Sequence, residues 1–290
     1  MKPAPFAYAA PETLEETLAL LAEYGDEAKL LAGGQSLVPL LNFRLARPRY
    51  LIDLNRVAGL AGLAADDVAL TVGAMTRQRR LERDPLVQQH YPLLAEAAAF
   101  IGHPAIRTRG TVGGSLAHAD PAAELPAVLL AYGGSVRVQG PQGERELAAE
   151  DFFLTYFTTA LEPTEVLTAV RFPRWPAGTG WSFLEVSRRH GDFALVGAAA
   201  LLTLDADRRC TRVAVALTGV GGTPYLVREA PAILVGQEVD ATRLEAVAEA
   251  ARAGVDPEGD LHASAAFRRH LSGVLTRRAL QQAAARAHPV

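Results

Sequence analysis

Two glycine-rich turns constrain this chain more than any other feature. The first is Ala32-Gly33-Gly34-Gln35-Ser36. The second is Gly110-Thr111-Val112-Gly113-Gly114-Ser115-Leu116. The first lies between a short apolar run at residues 29–32 and a helix-like stretch at 37–45, so it reads as strand, turn, helix. The second precedes an apolar helical pattern at 122–131. Glycine lets backbone N–H groups turn inward and approach an anion closely, and a following helix adds its positive end. Two such turns meeting at one point would grip a diphosphate from both sides, with the Ser36, Thr111 and Ser115 hydroxyls as further donors. The competing reading makes each turn a plain chain reversal, and the residues alone leave both open. Neither turn has the GxxxxGK[ST] pattern, and no GxGxxG follows the first strand. A P-loop nucleotidase and a Rossmann dinucleotide domain are therefore disfavoured.

The pattern around the turns gives an α+β chain. Thr13 and Glu16 have capping-box spacing, Leu14, Leu18 and Leu21 share a helical face, and Gly25 is a natural stop. Strands at 29–32 and 50–54 flank the helix at 37–45, where Pro39 is tolerable in the first turn; this is a βαβ signature. A second region begins near residue 58. It contains a strand at 68–72, Thr76 as a cap for the next helix, helices at 92–101 and 122–131, and strands at Val136–Val138 and 167–172. The string FPRWPAGTG at 172–180 reads as a linker. Three strand-like runs follow, at 181–187, 193–204 and 212–220, then helices near Ala230, at 241–253 and from 263 onward. The expected division is 1–57, 58–177 and 178–290.

Composition excludes several classes. Lys and Arg total 29 against 32 Asp and Glu, with no basic face, which disfavours nucleic-acid binding. The single cysteine, Cys210, can form neither an internal disulfide nor an iron–sulfur cluster, and reads as buried and inert. The histidines are scattered without HExxH spacing, so no metal site is expected. The longest apolar run, 193–204, is interrupted by Gly197 and Thr203 and falls short of the ~18–20 residues a membrane span needs. The N-terminus lacks the apolar run of a signal peptide, and the expected location is cytoplasmic. Ser115 is not in a GxSxG elbow. His118 and Asp120 read as loop hydrogen-bonding residues. Asp120 and Glu124 either accept from sugar hydroxyls or cap the helix near Ala122.

Three strings carry more than composition does: KLLAGGQSLVPLLNFRLARP at 29–48, IRTRGTVGGSLAHADPAAELPAVLLA at 106–131 and SRRHGDFALVGAA at 187–199. They resemble the FAD-binding medium subunits of molybdenum hydroxylases, of the carbon monoxide dehydrogenase medium-chain type, over essentially the whole chain. The resemblance implies a vanillyl-alcohol-oxidase-type (PCMH-type) FAD-binding domain in two lobes, followed by a C-terminal domain with a three-stranded antiparallel sheet and helices. It implies a non-covalent FAD whose diphosphate lies between the loops, with Lys29 and Leu30 leading into the first and Ala32, Gly33, Gly34, Gln35, Ser36 and Leu37 forming it. Thr111, Gly113, Gly114 and Ser115 form the second, with His118 and Asp120 beyond it. Ile101, Glu124 and Leu167 are implied near the cofactor, and Arg188, Asp192 and Phe193 near the flavin ring. Leu184 stands where xanthine oxidoreductases have lysine, which puts any role of that lysine in doubt here. Neither His103 nor His118 lies in a flavinylation motif. The resemblance further implies an electron-transfer flavoprotein subunit, an oxidoreductase component. Its partners would be a large molybdopterin subunit and a small [2Fe-2S] subunit, in a heterotrimer that dimerises. A flavin-free structural subunit and a self-sufficient FAD oxidoreductase are the alternatives.

Overall fold

The computed structural model describes residues 2–288. It opens with β1 (Ala7–Ala9), α1 (Leu14–Tyr24), β2 (Ala28–Leu31), α2 (Leu37–Asn42) and β3 (Tyr50–Asp53). The Thr13 hydroxyl accepts the Glu16 N–H while the Glu16 carboxylate accepts the Thr13 N–H, so the capping box forms as its spacing predicts. Gly25 stops the helix at φ +50°. The strands make a parallel sheet in the order β1-β3-β2, as the βαβ signature requires. Strand β1 is an addition, because three residues between prolines carry no readable alternation. Helix α2 ends earlier than residue 45. Arg44 is left-handed at φ +59°, and the Leu45 N–H returns to the Leu40 carbonyl at 2.9 Å, a Schellman-type stop without glycine.

The next segment runs β4 (Leu63–Ala65), β5 (Ala69–Gly73), α3 (Gln78–Arg83), α4 (Pro85–His90), α5 (Pro92–Phe100), α6 (Pro104–Arg109), α7 (Val112–His118) and α8 (Glu124–Tyr132). It continues through β6 (Ser135–Gly140), β7 (Gly143–Ala148), α9 (Ala149–Phe152), β8 (Phe153–Thr155), β9 (Thr158–Thr159) and β10 (Val166–Pro173). The main sheet has the order β4-β5-β10-β6-β7, and every pairing is antiparallel. Thr76 does not cap α3; Arg77 is the residue at that position. The buried Thr76 hydroxyl instead exchanges two 2.9 Å bonds with the backbone of Gly62, and this pairing outweighs capping.

After residues 174–179 come β11 (Gly180–Ser187), β12 (Ala194–Leu204), β13 (Cys210–Thr218), β14 (Tyr225–Leu226), α10 (Ala230–Leu234), α11 (Ala241–Gly254) and α12 (Ala265–Arg286). The sheet β11-β12-β13-β14 is antiparallel and has four strands rather than three. The extra one is two residues long and pairs through Ala216–Leu226 and Leu217–Tyr225, too short to show a period. Strand β12 is buried throughout because both faces are covered. Ala199 and Leu201 join a core with Leu94 and Leu125 of the preceding segment. Val196, Ala198, Ala200 and Leu202 pack with Val247, Leu275 and Ala279 of α11 and α12. Cys210 is buried, and burial pushes its thiol up to about 11, which matches the inert reading.

Candidate cofactor site

The first glycine turn bridges β2 and α2. Gly34 sits at φ +74°, a conformation that an L side chain strains, and so sets the direction of the turn. The Gln35 carboxamide donates to the Gly33 carbonyl at 3.0 Å and ties the loop to itself. The backbone N–H groups of Gly33, Gly34, Gln35, Ser36 and Leu37 find no acceptor among the described residues; the next amide, Val38, returns to the Gly34 carbonyl at 3.0 Å. Five consecutive uncommitted donors on a partly exposed loop form an anion-binding surface. Lys29 is exposed on β2, and Leu30 packs with the first sheet's core.

The second turn meets the first. A Cβ on Gly33 would stand 2.4 Å from the Arg109 carbonyl oxygen and 2.8 Å from the Gly110 Cα. A Cβ on Gly114 would stand 3.4 Å from the Ala32 Cβ. The convergence expected of the two turns is therefore present. The second turn's own amides are mostly committed: Val112 donates to Thr76, Gly113 to Ala74, and Gly114 to the Thr111 hydroxyl at 3.1 Å. A grip from both sides would therefore draw unequally on the two turns. The first turn supplies the free N–H groups. The second is anchored on the β5–α3 connection and supplies a wall, and the half-buried Ser115 hydroxyl finds no partner among the described residues.

The remaining expected residues fall into three groups. Ile101 is buried at the end of α5, and its carbonyl accepts from Arg107 at 3.0 Å. The turn at 188–192 closes on this corner: a Cβ on Gly191 would lie 2.4 Å from the His103 ring. Arg188, Asp192 and Phe193 are exposed there, and Arg188 and Asp192 form no ion pair with each other. His118 is half-buried 5.2 Å from the Phe157 ring, and burial holds its imidazole below the usual range. Asp120 accepts the Ala122 N–H at 2.9 Å, the loop bond expected of it; the residue at the α8 cap position is Ala123, so neither Asp120 nor Glu124 is the cap. Leu167 is buried in the core behind the second turn, next to Thr168, whose carbonyl holds Ala74.

Glu124 has a neighbour that the sequence does not reveal. Glu185, Gly197 and Thr218 are directly opposite on β11, β12 and β13, so they share a face of the sheet. The Thr218 hydroxyl bonds the Ala123 carbonyl at 2.8 Å and so ties the residue before Glu124 to this sheet. Glu124 is 6% exposed. Burial first, and the Glu185 charge second, push its carboxyl up to about 8. Burial pushes Glu185 up to about 7, and its Oε2 is buried without a partner. Asn55 and Arg77 at the two turns, Phe157 beside His118 and Glu185 near Glu124 have no local motif. Only contacts more than 20 residues apart in sequence bring them in, such as Arg77 with Asn55.

These features fit a dinucleotide diphosphate: a turn of free donors faces a glycine wall at a separation that a Cβ would close. Comparison with known families agrees. Residues 4–175 match the FAD binding domain in molybdopterin dehydrogenase, and residues 181–283 match the CO dehydrogenase flavoprotein C-terminal domain. The chain belongs to the FAD-binding medium subunits of the molybdenum hydroxylases. As a member of this family it is an oxidoreductase subunit with an FAD-binding domain. It is 45% identical over 289 residues to the 6-hydroxypseudooxynicotine dehydrogenase complex subunit alpha of Paenarthrobacter nicotinovorans, covering 100% of this chain and 98% of that one. It is 36% identical to the carbon monoxide dehydrogenase medium chain of Afipia carboxidovorans, over 99% of both. Its fold matches a solved carbon monoxide dehydrogenase from Hydrogenophaga pseudoflava lacking the Mo-pyranopterin moiety. The TM-score is 0.97 at 39% identity, with 99% of this chain and 100% of that chain covered.

Proposed function

We propose that this medium subunit holds one FAD non-covalently, its diphosphate between residues 32–37 and 111–115, and relays electrons within a larger complex. The carrying observation is the approach of Gly33 to Arg109 beside five uncommitted amides. Bound FAD supplies the redox chemistry that these side chains lack. The amides at 33–37 bind and orient the diphosphate. Ile101, Asp120, Glu124, Asp192 and Phe193 lie along the route to the flavin ring in this assignment. Burial favours the protonated form of Glu124, so Glu124 can donate as well as accept. Residues 1–57 and 58–177 serve as the two lobes and 178–290 as the C-terminal domain, a division supported by where the three main sheets fall.

In this assignment electrons arrive from the [2Fe-2S] clusters of a small subunit and leave to an external acceptor, while a large molybdopterin subunit carries out the substrate chemistry. The three subunits pair into a dimer of heterotrimers in the cytoplasm. No helix among the described residues is long and apolar enough to cross a membrane. Val38, Phe43 and Leu45 expose 41, 64 and 76% of their surface beside the first turn, an apolar stretch suited to cover by a partner. The identity to a 6-hydroxypseudooxynicotine dehydrogenase subunit exceeds that to the carbon monoxide dehydrogenase medium chain, so similarity does not select carbon monoxide as the substrate. The test is the visible spectrum of the purified protein, with any heat-released compound identified by mass. Two flavin bands and released FAD support the reading. A colourless chain that takes up no FAD, alone or with its partners, points to a structural subunit. Steady substrate turnover by the isolated chain points to a self-sufficient oxidoreductase.

A further inference from the structure

We propose that Arg77 and Asn55 form a clasp that fixes the gap between the two glycine turns, and that the Arg77 guanidinium lends its positive charge to the diphosphate bound there. The proposal rests on the flavin reading above. Arg77 lies at the start of α3 and belongs to neither turn. Its Nη1 donates to the Arg109 carbonyl at 2.6 Å, the same oxygen that leaves Gly33 no room for a side chain. Its Nη2 donates to the Asn55 Oδ1 at 2.6 Å. The Asn55 Nδ2 in turn donates to the Ala32 carbonyl at 2.9 Å. One guanidinium and one carboxamide therefore join a carbonyl at the edge of the first turn to a carbonyl at the edge of the second.

Asn55 is itself held from behind. Asp53 accepts the Asn55 N–H at 2.9 Å through Oδ1 and the Tyr8 hydroxyl at 2.7 Å through Oδ2. The carboxamide is thus oriented with its oxygen toward Arg77 and its nitrogen toward Ala32. Arg77 is partly buried and, among the described residues, donates only to neutral oxygens and pairs with no carboxylate. A guanidinium satisfied by neutral acceptors keeps its field for a nearby anion. The planar fork suits the task, because two donors at fixed geometry set a distance that a flexible ammonium cannot. The Asp53 carboxylate behind Asn55 offsets part of this charge without pairing with the guanidinium, and simple bracing of the fold would need the two bonds but no guanidinium left without a direct ion pair.

FAD titrations of the full-length chain at two salt concentrations test the clasp, with hydrogen–deuterium exchange of the FAD-free chain as a further readout. Arg77→Met should weaken FAD roughly 10- to 100-fold and reduce the salt dependence of binding. Asn55→Ala should weaken FAD by about tenfold or less while keeping the wild-type salt dependence, since the charge remains. Arg77→Lys should restore the salt dependence without the full affinity. In the FAD-free variants lacking the clasp, peptides covering residues 31–38 and 108–116 should exchange faster together, the rest of the chain being unchanged. FAD affinity within about twofold of wild type in Arg77→Met, or wild-type exchange in both turns, would overturn the clasp. If Arg77→Met does not fold, Arg77→Lys and Asn55→Ala carry the same comparisons. A wild-type protein that takes up no FAD, even with its partners, would sink the flavin reading instead, and the exchange of the two turns still decides the clasp.

Discussion

At the scale of single residues, Gly33 and the Glu124–Glu185 pair each make a sharp prediction. A methyl group on Gly33 meets the Arg109 carbonyl at 2.4 Å, a backbone atom that cannot swing aside. Gly33→Ala should therefore push the turns apart, costing about 1–3 kcal/mol of stability and at least tenfold in FAD affinity. Gly59→Ala is the comparison, since its site is open and only its φ of +80° is strained; it should lose stability but not FAD. Equal FAD loss in both would show that the close approach is irrelevant. The carboxyl pair predicts a pH dependence. Both folded-state values, about 8 for Glu124 and about 7 for Glu185, lie above the ordinary 4.5, so their protonated forms are the ones the fold favours. Their contribution is complete below about pH 4.5 and is lost as pH rises through 7 and 8. Denaturant unfolding of the FAD-free chain should give a stability on the order of 2–4 kcal/mol lower at pH 9 than at pH 6, beyond other titrations. Glu124→Gln should flatten that slope, and an unchanged slope in this variant would remove the pair as its cause.

At the scale of elements, what is legible in the sequence follows from the range of the interaction that decides it. The α1 start is legible because Thr13 and Glu16 cap each other three residues apart. Thr13→Ala should accordingly cost about 1 kcal/mol in denaturant unfolding and leave FAD affinity unchanged, because the capping bonds stay within residues 13–16. A loss of FAD in that variant would mean that α1 positions the first turn. The long strands β11, β12 and β13 are equally legible from their apolar runs, and so are both glycine turns. Thr76 misleads because its hydroxyl has two acceptable uses, and only the fold brings Gly62 within reach. Strands β1 and β14 are too short for a pattern. Nothing in the sequence distinguishes the free amides of the first turn from the committed amides of the other. Ala74 and Thr76, which take the Gly113 and Val112 amides, are more than 30 residues upstream of them. Glu185 reaches Glu124 only through the strand register at Gly197 and Thr218, which no local reading supplies.

At the scale of the whole molecule, the C-terminal sheet is enclosed rather than appended. Phe183, Ala199, Leu201 and Ala216 share a core with Leu94, Leu125 and Leu129, while the opposite face of the sheet packs on α11 and α12. Polar ties cross the same boundary. The Thr218 hydroxyl shares its one proton between the Pro121 and Ala123 carbonyls, the Gly219 N–H donates to Pro121 at 2.8 Å, and Arg286 pairs with Glu96 at 2.8 Å. Arg268 of α12 is buried and satisfies the Leu195 and Gly219 carbonyls while pairing with Asp260 at 2.7 Å, which locks the helices to the sheet beside this seam. The linker at 174–179 is therefore a change of direction between parts that stabilise each other, although two family descriptions meet there. Calorimetry of the intact FAD-free chain should show one cooperative unfolding transition. Proteolytic cutting within 174–179 should leave the two fragments associated under native conditions. The fragment ending at residue 177, made alone, would expose the apolar surface of α5 and α8 around Leu94 and Leu125, and should be aggregation-prone and poorly cooperative. Two well-separated transitions, or a stable monomeric fragment that retains FAD, would show instead that the seam is dispensable. The Glu185 charge acts on Glu124 across the same seam and Glu124 is buried there, so separating the two parts should also abolish the pH dependence assigned to that pair.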